Sequence, residues 1–148
     1  MQKMNYSFEI DCDDKSLFKI LTNYENLPTY LPRKIQKIEI SEEENGHKII
    51  NVTIFLRTLI KKEFSQKLRV KTESENELSI QVLDGIAKGT IVKISILKQS
   101  EKTLCHVNSE VKMSLKMLIL LPIVKSQYNS FVSNVFKKMG NDAKQVGA

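Results

Sequence analysis

The chain opens on alternation. Tyr6, Phe8 and Ile10 are apolar, and Asn5, Ser7 and Glu9 between them are polar. That period of two marks a strand with one buried face. Asp residues at 11, 13 and 14 then supply helix caps and first-turn negative charge, which suits the helix dipole. Leu17, Ile20, Leu21 and Tyr24 recur at helical spacing and predict a short helix. Pro28 and Pro32 break that pattern. Between them lies room for one further helical turn at 26–31.

From Ile35 the period returns to two. Ile38 and Ile40 oppose Lys37 and Glu39, and Ile50, Val52, Ile54 and Leu56 alternate next. Phe64, Gln66, Leu68 and Val70 alternate with Ser65, Lys67, Arg69 and Lys71. Leu78, Ile80 and Val82 form one run, and Thr90, Val92, Ile94 and Ile96 another. Cys105, Val107, Ser109, Val111 and Met113 form the last. Turn signals at 42–46, 74–76, 84–85 and 99–102 separate these runs. Six strands on short turns predict an antiparallel meander. Met117, Leu120, Leu121, Val124, Tyr128, Phe131, Val132, Val135 and Met139 then follow helical spacing. Lys137, Lys138 and Gly140 signal the end of that helix. Pro122 interrupts it, so the helix either begins near Ser114 and kinks, or has its main body start at Pro122.

The expected architecture is α+β. A seven-stranded antiparallel sheet curves around one long C-terminal helix, with two short helices after the first strand. A helix of this length spans roughly 38 Å at 1.5 Å per residue. A curved sheet cannot pack flush along all of it, and the space left over is a cavity. No linker, repeat or low-complexity tract divides the chain, so residues 1–148 are expected to be one domain.

Composition narrows the class. At 148 residues, 41% hydrophobic and 27% charged, the chain is of ordinary globular make-up, with too few Gly, Pro and Cys for a collagen or disulfide scaffold. Cys12 and Cys105 lie far apart without paired spacing, which points to a reduced, cytoplasmic protein. Residues 1–10 contain no apolar signal core, and the run 117–124 is far shorter than the roughly 20 residues of a membrane span. Net charge is +6, concentrated after residue 50. Lys67, Arg69 and Lys71 share one strand face and Lys93 the corresponding face of another, so a basic outer surface could meet a ribosome or an anionic membrane. No aromatic residues interleave with these lysines, and sequence-specific nucleic-acid binding is not expected.

Candidate chemistry is sparse. Cys105 and His106 are adjacent on a strand, so their side chains leave opposite faces and cannot form a dyad. Two His and two Cys lack metal-ligand spacing, and no phosphate-cradling loop occurs; no metal or cofactor is expected. The inward parity is more informative. Phe64, Leu68, Ile80, Val82, Val92, Ile94 and Val107 are apolar, with Gln66, Thr90 and Ser109 as the polar exceptions. Leu121, Tyr128 and Phe131 lie on the apolar stripe of the long helix. Each polar group serves either a neighbouring backbone or a ligand. As a set they suit a cavity for an apolar molecule with one polar end.

The order of elements and two motifs carry a resemblance. Residues 13–32 read DDKSLFKILTNYENLPTYLP, which resembles the first helix and the D-x-E-x-Y-P-x-F-L-P turn of the START-like superfamily, also called helix-grip or SRPBCC. Asn23 stands for the usual Asp, Leu27 for the aromatic before proline, and Tyr30 for the Phe. Residues 111–136 are similar to that family's last strand running into its long helix. The nearest branches are the polyketide cyclase/dehydrase-like and coenzyme Q-binding proteins. Several relatives place a Trp in the strand after the turn at 84–85. This chain has no Trp, so such a contact has no counterpart here. The resemblance implies a binder of a lipid, an isoprenoid quinone or a polyketide-like molecule, held between helix and sheet. Loops at the open end of the grip can move, so the 28–32 loop and the 84–88 turn, with Leu27, Tyr30, Leu31 and Ile86, are the expected gate. A cyclase or dehydratase would instead need an acid or base in the cavity, which only Tyr128, or Glu110 after a one-residue slip of register, supplies.

Overall fold

The computed structural model describes residues 2–30, 35–42, 48–56, 62–85, 87–112 and 121–146. Side-chain surroundings at 2, 27–29, 35–38, 42, 52–56, 62–66, 121–128, 131 and 145–146 lie outside that description. Strand β1 spans Gln2–Ile10, and helix α1 spans Asp14–Leu21. A 3-10 turn covers Tyr24–Thr29. Six strands follow: β2 Ile35–Glu42, β3 Lys48–Leu56, β4 Lys62–Thr72, β5 Glu77–Asp84, β6 Ile91–Gln99 and β7 Lys102–Val111. Helix α2, Leu121–Val146, closes the chain. The sheet has seven strands in the order β1-β7-β6-β5-β4-β3-β2, each pair antiparallel. The meander is therefore as the period-two runs predict, with β1 added beside β7.

Short signals set the boundaries. The Asp13 carboxylate accepts from the Ser16 backbone N–H at 3.0 Å and from Ser16 Oγ at 2.9 Å, capping α1. Those donors hold the Asp13 carboxyl below its usual range. Leu17 and Leu21 point α1 into the core. The second short helix is the 3-10 turn, beginning at Tyr24 rather than Asn26. Between β5 and β6, Gly85 and Gly89 both adopt positive φ, at 106° and 93°, as a non-glycine residue rarely would. The turn expected at 42–46 falls mostly on residues outside the description.

Helix α2 corrects one expectation. Gly140 reads as a stop signal, yet the helix runs through it to Val146. The reason is packing. A Cβ at Gly140 would overlap Ile10 Cγ2, so glycine here lets α2 lie directly against the end of β1. Around that contact Val132, Val135, Phe136, Met139 and Ala143 join Ile10, Leu17, Leu21, Ile96 and Cys105 in one buried cluster. The Phe8 and Phe136 rings stack at 6.3 Å between centroids.

Two further contacts hold the same end of α2. Lys144 Nζ meets Asp11 Oδ2 at 3.1 Å, and the Tyr30 hydroxyl donates to Asp142 Oδ2 at 2.7 Å. Positions two apart on a helix differ by about 200°. The segment 11–30 thus takes the last turns of α2 from opposite sides. The Lys144 pair is solvent-exposed and contributes little.

Alanine at Gly140 should reverse the usual rule. In an exposed helix the change stabilises by about 1 kcal/mol. Here the β-branched Ile10 side chain has little freedom to yield, and we expect a loss of about 1–3 kcal/mol in denaturant unfolding. A stabilised Gly140→Ala protein would contradict the packing described.

Candidate functional site

The register sorts the sheet into two faces. One inward row runs Val70, Ile80, Val92, Ser109 and Met4 across five strands. A second runs Ile40, Ile50, Leu68 and Val82. A third runs Thr72, Leu78, Ile94, Val107 and Tyr6. These rows are apolar with few exceptions, as the inward parity predicts. Ile94 and Val107 are shut inside the core cluster, and Val82 is buried too. Leu68, Ile80 and Val92 face the same way but keep part of their surface exposed. The concave face is therefore sealed under the last turns of α2 and incompletely covered towards β4 and β5. Ile50, Val70 and Met4 extend it. Parity alone could have named them, but their neighbours across the sheet follow only from register.

The polar positions divide. Thr90 precedes β6, and its hydroxyl donates to the Lys112 carbonyl at 3.2 Å and accepts from the Lys112 N–H at 3.0 Å, which ties it to the backbone. Ser109 is 1% exposed and already partnered. Thr103, not singled out from sequence, is 1% exposed and donates to the Cys12 carbonyl at 2.7 Å, tying β7 to the loop before α1. The side chains of Phe64, Gln66, Leu121, Tyr128 and Phe131 lie outside the described residues, although their backbones belong to β4 and α2. Of the gate positions, the side chain of Leu27 lies outside the description, as do Leu31 and Ile86 altogether. Tyr30 is 6% exposed and belongs to the core cluster.

Two of the described titratable groups, Glu110 and His106, lie on the convex face. Glu110 pairs with Lys3 and Ile91 on the convex face, so the register has not slipped and its carboxylate points away from the concave rows. His106 is also convex, where its Nδ1 lies 2.7 Å from Ser7 Oγ. That pair sits on an open sheet face, and β7 spends its N–H groups pairing with β1 and β6, so no oxyanion donors face it. Burial pushes the Cys12 thiol up, and pushes Cys105 up to about 12. Both are held as neutral thiols, the unreactive form. Among the described residues no cluster of His, Cys, Asp or Glu could hold a metal ion.

Elsewhere the surface is mixed. Lys67, Arg69, Lys71 and Lys93 share the convex face with Glu9, Glu39, Glu77 and Glu110. Lys71 lies 3.7 Å from Glu73. An open cleft of about 390 Å³ lies at the end of the sheet near α1, lined by Cys12, Asp13, Asp14, Lys98, Ser100, Glu101 and Lys102. It is polar and carries both signs of charge, unlike the apolar concave rows. Among the described residues no helix is long and apolar enough to cross a membrane.

Tyr30 yields a pH-dependent prediction. The Asp142 carboxylate accepting its proton, together with burial, raises the Tyr30 hydroxyl from the usual 10 to about 12. The folded state favours the protonated form. Its contribution is whole below pH 10 and is lost as pH climbs towards 12. Wild type should exceed Tyr30→Phe by about 1–2 kcal/mol at neutral pH. That gap should close between pH 10 and 12 in chemical unfolding curves. A gap that stays constant or widens would count against the bond.

Solved structures place this architecture. A protein from Thermus thermophilus superposes with a TM-score of 0.80 at 12% identity, over 99% of this chain and 100% of that one. A START superfamily protein from Mycobacterium smegmatis gives 0.75 at 15%, over 97% and 98%. The Zhui aromatase/cyclase from Streptomyces sp. R1128 gives 0.74 at 10%, over 99% and 98%. No family model and no curated protein matches the sequence. At such identities the likeness is one of fold. On that likeness and on its strand order, the chain has the START-like, helix-grip fold.

Proposed function

We propose that the protein binds a small apolar molecule between α2 and the concave face of the sheet. The observation that carries this is the partial exposure of Leu68, Ile80 and Val92, which face the core side of the sheet without being sealed. Apolar surface left open on a concave face gains about 25 cal/mol per Å² when a ligand covers it. A lipid, an isoprenoid quinone or a polyketide-like aromatic fits that chemistry. A START superfamily protein and an aromatase/cyclase share the fold, which is in keeping with an enclosed apolar site.

Binding without catalysis is the reading supported best. On the concave side of β1, β6 and β7 the described residues include no carboxylate and no imidazole, and both cysteines are held as thiols. Docking through the convex face finds less support, because its cations alternate with carboxylates and the field is divided.

The chain contains no Trp, so one can be introduced as a reporter. Emission from Leu68→Trp should be quenched on contact with a bromine-labelled fatty acid, while Trp placed at Lys93 on the convex face should not respond. Equal quenching at both positions, or none at Leu68→Trp, would refute a concave site.

A further inference from the structure

The stretch 24–30 crosses from the sheet to the helix. At its start Tyr24 is buried in the apolar cluster. The 3-10 turn lies against β2. At its finish the Tyr30 ring is buried and its hydroxyl donates to Asp142 on α2. Both tyrosines pack in the same apolar cluster as Ile50 and Val70, with Leu68 and Ile80 against it. The stretch therefore bridges one side of the gap between sheet and helix, beside the rows assigned to the ligand.

A 3-10 turn has poor hydrogen-bond geometry and supplies little stability of its own. Its position depends on what its ends hold. The two anchors differ. Tyr24 is held by its burial, whereas Tyr30 also donates to a carboxylate, a strong kind of bond. Asp142 is only half-buried, so water can take over its lone pairs when the tyrosine leaves. That gives two states of the same groups, bonded to each other or separately hydrated.

We propose that residues 24–30 form a strap over the β2–β4 side of the ligand space, and that the Tyr30–Asp142 hydrogen bond is the latch holding it shut. The purpose of the strap rests on the ligand-binding reading above; its mechanics do not.

Amide hydrogen exchange without ligand tests the mechanics. The Asn26 N–H, which donates to the Asn23 carbonyl at 3.1 Å, reports on the strap. Tyr30→Phe and Asp142→Ala should each speed its exchange about 10-fold. The double variant should go no further, and amides of β6 and β7 should not change. Asp11→Asn, which breaks only the exposed pair with Lys144, should leave the strap as in wild type. No acceleration at Asn26, or an equal rise throughout β6 and β7, would overturn the latch.

Stopped-flow release of bound 1-anilinonaphthalene-8-sulfonate tests the purpose. Release should be about 10-fold faster from both single variants if breaking the bond opens the exit. Fast Asn26 exchange with unchanged release would show that the strap moves but is not the exit, and would overturn the proposal. A wild type that takes up no probe would remove the ligand reading, while the exchange result still decides the latch.

Discussion

The structure depends on how closely the last turns of α2 approach β1. Gly140 removes the one side chain that would hold helix and strand apart, and Ile10 fills the space. Phe136, Met139 and Ala143 can then reach the sheet, and Phe8 can stack on Phe136. The 11–30 segment grips the same turns from two sides, through Asp11 and Tyr30. The C-terminal end of α2 is thus fixed to the sheet. The side chains that stay partly exposed, Leu68, Ile80 and Val92, lie on β4, β5 and β6, further across the sheet from β1.

The two faces of the sheet do different work. The concave face is apolar, and its buried hydroxyls at Thr90 and Thr103 are spent on backbone carbonyls and amides. The convex face carries His106, Glu9, Glu39, Glu77 and Glu110 interleaved with Lys67, Arg69, Lys71 and Lys93, so that neither sign dominates. His106 and Glu110 on the one side and the apolar rows on the other are thus separated by one layer of strands.

Much of this was legible in the sequence because strands announce themselves by period two and short turns leave little choice of neighbour. The meander, the inward apolar rows and the outward lysines all follow from that. What was not legible depends on contacts distant in sequence. Tyr30 looks like a loop residue between two prolines, and its partner Asp142 is 112 positions away. Gly140 follows two lysines near the end of an amphipathic run, a local stop signal that tertiary packing overrides. Thr90 has the parity of a ligand contact, but its hydroxyl meets Lys112 only because the turn with Gly85 and Gly89 brings it there. Local pattern reports which way a side chain points, and not which polar partner waits for it.

Native mass spectrometry of the protein purified from its own host tests the central claim most directly. The account predicts a complex one small apolar molecule heavier than the chain, with the added mass recovered by organic extraction. A bare chain mass that stays unchanged after incubation with the host's total lipid extract would contradict it.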